Sequence, residues 1–407
     1  MKKISLLSSV IILIVLMTSC SKENFTDPSE NFSATQNTIA LKEAAVNNYI
    51  VVFSDEYTPE SKFAPGMSYD KRNDVMGSFV REYFAGQGIA GVNPVRYYNK
   101  ALHGFAASLS LDVVEKLRND SRIKFVEQDQ VVSINGKPGG GGGTPPAQVT
   151  PWGITRVGGS QNFSNSAESN KVWILDTGID FTHTDLNVDV TNAKTFLTTG
   201  KDARSASDNN GHGSHVAGII GAKNNTIGVV GVAAGVLVVP IKVLDLNGNG
   251  TVSSVINGID WVANHGKAGD VANMSLSGGV SATLDQAVVN ASANGIWFVL
   301  AAGNSAANAN NYSPARANGT YIVTVSAMDN ADYFASFSNY ANPPVDYCAP
   351  GVSVYSTYKG GGYATMSGTS MAAPHVAGLL VSTGGTLNFD GYVAGDKDAT
   401  ADAIAHR

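Results

Sequence analysis

From Pro151 onward the chain alternates short apolar runs with stretches of helical period. "KVWILD", "VLVVPIKVLD", "VANMSLS", "IWFVLAAGN" and "YIVTVSA" read as strands. Helices are expected after "NGHGS", across "SSVINGIDWVANHG" and at "LDQAVVNASANG". A strand with one wet face would alternate apolar and polar positions, whereas these runs are almost continuously apolar. They therefore predict a parallel sheet covered on both faces, a doubly wound, mostly parallel α/β fold. Residues 48–134 follow another pattern. "NYIVVF", "HGFAASLS" and "KFVEQDQVVSI" predict three strands, with helices at "DKRNDVMGSFVREYFAG" and "SLDVVEKLRND" between them. Ser110 and Asp112 are capping candidates for the second helix. That order predicts a small α+β sandwich ahead of the larger unit.

The two units are separated by "NGKPGGGGGTPPAQVT", residues 135–150. A run of glycines followed by two prolines cannot pack, so the segment is expected to be an exposed linker open to proteolytic cutting. The larger unit then spans residues 151–407. At the start of the chain, Lys2 and Lys3 precede an apolar run from Ile4 to Met17 and small residues before Cys20. This is the layout of a secretory signal over residues 1–20, and the run is short for a membrane span. "MTSC" resembles the lipobox of bacterial lipoproteins, with Met17 where leucine is usual, and implies cleavage before Cys20 and its acylation. Residues 21–47, opening with the polar "SKENFTDPSENFSATQNT", would be a flexible tether. The expected location is outside the cell, as an envelope lipoprotein held to a membrane through Cys20 or as a secreted protein.

Composition narrows the partners. The chain is 43% hydrophobic and 15% charged, as in an ordinary globular protein. Its net charge is −6 and no basic cluster stands out, which argues against nucleic acid as a partner. Two cysteines, Cys20 and Cys348, imply no disulfide framework, and Cys348 in "VDYCAPG" reads as a small core residue.

In doubly wound sheets the site gathers at the carboxyl ends of the strands. There the chain places Asp176 after "KVWIL", Ser275 and Ser277 after "VANM", and Asn304 after "FVLAAG". His212, between Gly211 and Gly213, and Ser370, two residues after Gly368, both open helices. Unpaired N–H groups at a helix start suit an oxygen that becomes negative. Pro374 is expected in the first turn of its helix, where its missing N–H matters little. Taken singly, such residues usually cap helices or make turns. Together they supply a nucleophile, a base, an orienting carboxylate and, with the Ser370 N–H, two oxyanion donors.

"ILDTGIDFTHTDL", "NNGHGSHVAGIIGA", "SGTSMAAPHVAG" and "AAGN" resemble the motifs of subtilisin-like serine peptidases, the subtilases, over roughly residues 151–380. The resemblance implies a serine endopeptidase with Asp176 as the orienting carboxylate and His212, not His215, as the base. Ser370 would be the nucleophile, Met371 its packed neighbour and Asn304 the side-chain oxyanion donor. "NMSLSGG" resembles the strand that pairs with an extended substrate, implying backbone contacts from Ser275, Leu276 and Ser277. "AAGNSAANANNYSPA" resembles proteinase K-like members, implying an S1 pocket walled by Ala302, Gly303 and Tyr312 and a preference for apolar or aromatic P1 residues. Residues 48–134 resemble the inhibitor-type propeptide of the family. Its last strand would fill the cleft after cleavage between Ser133 and Thr150.

A structural calcium ion is also implied, on Asp185 and Asn225 with the carbonyls of Lys223, Ile227 and Val229, an all-oxygen set. Asp346 resembles a carboxylate ligand of a second site. The expected partners are protein or peptide substrates and the chain's own propeptide, and the protein is expected to be a monomer. The tail "NFDGYVAGDKDATADAIAHR" does not resemble the usual closing helix and strand, which leaves open how the fold closes. Two rivals remain. One is a catalytically silent peptide-binding scaffold of the same fold. The other is a nucleotide-binding α/β protein, for which the G-x-G-x-x-G signature is missing.

Overall fold

A computed structural model describes residues 48–134, 146–166 and 168–407. The expected signal, Cys20, the tether and the glycine run lie outside the described residues.

The first unit runs β1 (Asn48–Phe53), α1 (Tyr69–Gly86), β2 (Pro94–Asn99), β3 (His103–Ser108), α2 (Leu111–Arg118), β4 (Ile123–Gln128) and a short β5 (Val131–Ser133). The first four strands form a sheet in the order β2-β3-β1-β4. The α+β sandwich is as expected, with two differences. β2, "PVRYYN", is an additional strand, and its exposed Val95 and half-buried Arg96 hide it from an apolar count. "KFVEQDQVVSI" breaks at Asp129 into β4 and β5. Ser110 caps α2 by accepting from the Val113 N–H, while Asp112 sits in the first turn. Along β1, Tyr49, Val51 and Phe53 pack with Met76, Val80 and Phe84 of α1, whereas Ile50 and Val52 join the core of the second unit. Both faces of the small sheet are therefore committed.

The second unit opens with α3 (Trp152–Arg156) and the pair β6 (Gln161–Asn162) and β9 (Ala233–Ala234). Its main sheet has nine strands in the order β19-β20-β16-β15-β14-β12-β7-β10-β8. These are β7 (Val172–Asp176), β8 (Lys194–Thr195), β10 (Val238–Lys242), β12 (Val271–Met274), β14 (Trp297–Ala301), β15 (Ile322–Met328), β16 (Val345–Pro350), β19 (Asn388–Tyr392) and β20 (Ala403–His406). Every neighbouring pair is parallel except β19 with β20. Val172 and Ile174 of β7 pack beneath α4 (His212–Gly221) and α7 (Thr369–Thr383). Trp173 and Leu175 pack on the opposite face against α5 (Val252–His265) and α6 (Ala282–Ser292). With both faces covered, the continuous apolar runs are accounted for.

At the other end of the linker, the Gly228 N–H donates to the Pro146 carbonyl, and the Gln148 and Val149 N–H groups donate to Thr226 and Gly228. Residues 146–150 thus pack with the second unit, ahead of its expected start at Pro151. Residues 388–406 add to the edge of the sheet. β19 and β20 form a hairpin whose second strand lies parallel to β16, pairing Ala403 with Tyr347 and Ile404 with Cys348. Cys348 is fully buried with Met328, Phe334, Val393 and Ile404, and burial pushes its thiol pKa well up.

Candidate active site

β7 ends at Asp176, whose side chain is wholly buried. Its two oxygens lie 2.8 and 2.9 Å from His212 Nδ1, and the Thr177 N–H donates to Oδ1 at 2.7 Å. His212 is the first residue of α4. The helix is docked onto the β7 turn by Asp208, which sequence reading missed. Its Oδ1 accepts from Thr177 Oγ1, Asn210 N and Gly211 N, and its Oδ2 from Ser214 N and Oγ. These are unpaired donors of a helix start satisfied by one buried carboxylate. Gly213 donates its N–H to Thr177 Oγ1, and a Cβ there would fall 2.0 Å from the Gly178 carbonyl oxygen. Only glycine allows that approach.

Ser370 follows Gly368 and Thr369 at the start of α7 and is 3% exposed. Gly368 has φ +152° and a Cβ there would lie 3.2 Å from Asn304 Nδ2. Pro374 is the sixth residue of α7, past the first turn where it was expected. Having no N–H, it leaves the Ser370 carbonyl without its helical donor. The Ser275 hydroxyl takes that place at 2.9 Å and is itself held by Asn273 Nδ2 at 3.0 Å. Ser275 therefore acts through its side chain as well as its backbone. Ser370 Oγ donates to the Ser275 carbonyl at 3.3 Å, and His212 Nε2 is buried with no hydrogen-bond partner among the described residues.

Asn304 is fixed by its neighbour. Thr369 donates to Asn304 Oδ1 from its N–H at 2.8 Å and from Oγ1 at 2.9 Å, and Oγ1 also accepts from the Gly303 N–H. With the amide oxygen engaged, Nδ2 turns toward Gly368. Thr369 was missed because nothing in its type marks it; only its place before Ser370 does. His215 reaches the carbonyls of Val354 and Ala364. Burial first, then the His212 charge, hold it down to about 3, so it stays neutral. Met371 is fully buried in the core beneath the site.

The cleft is formed by β11 (Asn249–Thr251) and β13 (Ser277–Gly278), and β5 of the first unit lies between them, antiparallel to both. Ser133 pairs with Asn249 on one side and Ser277 on the other. The recess next to Ser370 is lined by Ser133, Leu276, Ser277, Ala301, Gly303, Asn304 and Thr369. Two expected wall residues do not line this narrow recess. Ala302 faces Ala309 and Val345 in a separate small cluster, because Ala301 and Gly303, one residue to either side, take the cleft face. Tyr312, half-buried after a short helical turn, does not line the recess.

The expected calcium ligands gather near residues 146–149. Asp185 is fully buried and accepts from Asn225 Nδ2 at 2.7 Å, Val229 N at 3.1 Å and Tyr363 OH at 3.2 Å. Burial pushes its pKa up. Gln148, a further oxygen donor that sequence reading missed, accepts from Asn225 N. Lys223 turns its ammonium away, onto the Thr184 carbonyl. A carboxylate, two amide oxygens and peptide carbonyls fit a hard cation, provided the Asn225 amide turns its oxygen inward. Asp346 accepts from Thr324 N, burial pushes it up to about 6, and among the described residues no group of three or more His, Cys, Asp or Glu side chains that could hold a metal forms there.

The comparisons agree with this geometry. The Subtilase family matches residues 167–383 and the Peptidase inhibitor I9 family residues 48–135. The chain is 37% identical over 349 residues to alkaline serine exoprotease A of Vibrio alginolyticus, covering 83% of this chain and 60% of that protein. It is 43% identical to M-protease of Shouchella clausii over 277 residues, 67% of each. Among solved structures it is similar to a cold-adapted subtilisin-like serine proteinase, with 36% identity and a TM-score of 0.53 over 63% of this chain and 97% of that one. A buried Asp–His pair, a serine at a helix start and an inhibitor-type strand in the cleft thus coincide with the matched regions, and the chain belongs to the subtilase family of serine proteases, with an I9 propeptide ahead of the protease domain.

Proposed function

We propose that this subtilase is exported as a proenzyme, cuts itself free of residues 48–134 and then hydrolyses peptide bonds within extended segments of other proteins. His212, oriented by Asp176, takes the Ser370 proton as Oγ attacks the carbonyl. For this step Oγ rotates from the Ser275 carbonyl to the orphaned His212 Nε2. The oxyanion is held by Asn304 Nδ2 and the Ser370 N–H, and His212 then protonates the leaving amine. Water completes the cycle by hydrolysing the acyl-enzyme. Backbone groups of Ser275, Leu276 and Ser277 hold the substrate as an added strand. Small walls at Ala301 and Gly303 leave room for an apolar or aromatic P1 side chain. The signal at residues 1–20 takes the chain out of the cell, and acylated Cys20 tethers it.

The observation that carries this reading is β5, an extended segment laid between β11 and β13 as a substrate would be. Its test compares the intact mass of the chain lacking residues 1–20 with that of its Ser370→Ala variant over hours. The first should split between Ser133 and Pro146 and the second stay whole. If both stay whole, the silent-scaffold reading replaces this one. If both split alike, another protease is cutting the linker.

We also propose a calcium ion on Asp185, Asn225, Gln148 and the carbonyls of Lys223, Ile227 and Val229. When bound, it would pin residues 146–149 to the 223–229 loop. The proposal is not extended to Asp346, around which no group of three ligating side chains forms among the described residues.

A further inference from the structure

Ser275 holds Ser370 by both of its ends. Its hydroxyl donates to the Ser370 carbonyl at 2.9 Å, and its own carbonyl accepts from Ser370 Oγ at 3.3 Å. We propose that Ser275 is a positioning residue for turnover. Its hydroxyl replaces the helical donor that Pro374 removes, and so fixes the nucleophile against the residue whose backbone meets the substrate. The inference rests on the peptidase reading above and adds a role that Asp176, His212 and Asn304 do not fill.

Pro374 creates the need. In an α-helix the carbonyl of residue 370 accepts from the N–H of residue 374, which proline lacks, and the proline ring crowds that same carbonyl. A buried carbonyl without a donor is costly, and without one the first turn of α7 could tilt and carry Ser370 Oγ out of line. Ser275 answers from outside the helix. It stands just past β12 and is fully buried, as is Asn273. Asn273 Nδ2 donates to Ser275 Oγ at 3.0 Å, so the hydroxyl proton is directed to the Ser370 carbonyl. On the other side Thr369 ties the residue before the nucleophile to Asn304, past the end of β14. The start of α7 is thus pinned to the ends of two neighbouring strands, with Ser370 between them.

The same residue faces the substrate. Ser133 of β5 lies opposite Ser277, and the Ile134 N–H donates to the Gly248 carbonyl at 3.1 Å, on the β11 side. Successive N–H groups of a strand point to opposite edges. A substrate laid in that antiparallel register therefore turns the N–H of the residue opposite Ser275 toward the Ser275 carbonyl. One residue then sets both sides of the reacting pair, its backbone placing the substrate and its hydroxyl placing the peptide of the nucleophile. Small misplacements of such a pair are expensive.

The test uses the chain without its first 20 residues as parent, Ser275→Ala, Pro374→Ala, the double variant and Ser275→Thr. Self-cutting is followed by intact mass. Since β5 already lies in the cleft, its first-order rate reads the chemical step and not substrate affinity. Ser275→Ala should slow cutting about tenfold, the size of one hydrogen bond to a buried carbonyl. Pro374→Ala returns an N–H to the Ser370 carbonyl, so in that background Ser275→Ala should cost less than about threefold. Ser275→Thr keeps the hydroxyl and should stay within about threefold of the parent. In processed enzyme the Ser275→Ala loss should fall on kcat and leave KM unchanged, because the backbone still holds the substrate. Equal slowing by Ser275→Ala with and without Pro374, a Ser275→Thr chain as slow as Ser275→Ala, or a loss confined to KM would overturn the proposal. A parent that never cuts would overturn the peptidase reading, and this proposal with it.

Discussion

Thr369 and Asp208 show how much of the site rests on residues that hold other residues in place. Thr369 fixes the Asn304 amide oxygen with two donors, which leaves Nδ2 free of rotational choice. Asn304→Ala removes the donor itself. It should lower kcat on the order of 10²–10³-fold with little change in KM, the loss known for the oxyanion asparagine of subtilisin. A mainly KM effect in steady-state peptide hydrolysis would remove Asn304 from the oxyanion role. Asp208 receives five hydrogen bonds and joins the start of α4 to the β7 turn. Asp208→Ala leaves those buried donors unpaired, so a loss of about 2–4 kcal/mol in unfolding free energy is expected. Denaturant unfolding in the Ser370→Ala background measures it, and a loss under 1 kcal/mol would mean water replaces the carboxylate.

At the scale of elements, burial on both faces made β7, β10, β12, β14 and β15 legible from their apolar runs alone. Asp176, Ser275, Ser277 and Asn304 were legible for the same reason, since each lies at or just past the end of such a strand, whereas His212 and Ser370 stood out as polar residues opening helices beside glycines. Elements with mixed surroundings were not. β2 is half-exposed, and β19 shows no buried side chain at all, so neither produced a pattern. Residues 146–150 read as linker because their contacts lie some eighty residues away, at Thr226 and Gly228. Ala302 was assigned to the pocket because a motif gives order along the chain, not which way each residue faces. The docking of that first segment carries a prediction. If calcium sits between Gln148, Asp185 and Asn225, chelation should lower the melting temperature of the processed enzyme, and Asp185→Asn should abolish the difference. At calcium a hundredfold above its Kd the stabilisation is about 2.7 kcal/mol. An unchanged melting temperature on chelation would reject a stabilising ion there.

The whole molecule is a complex between two units, and its interface buries carboxylates from both. Asp260 of α5 is fully buried beneath the β2–β3 turn, accepting from the N–H groups of Asn99, Lys100 and Ala101. Burial outweighs those donors and the nearby Arg72, and pushes it up to about 6. Asp285 of α6 also rises to about 6, through burial, with Glu127 of the first unit adding to the rise and Ser313 and Arg316 opposing it. Asp129, which accepts from Ser253 N and Oγ at the start of α5, is raised by burial as well. Once the units separate, these groups face water and return to the ordinary range near 4. The complex then holds more protons than its parts, so its stability from this source is full below pH 4 and lost as pH rises through 6. Propeptide release, followed as the appearance of peptidase activity after self-cutting, should therefore quicken between pH 5 and 7 and level off above. Asp285→Asn should flatten that rise. Release that quickens toward acid instead would mean that the N–H donors on Asp260 and Asp129 govern the interface, with the carboxylates charged in the complex.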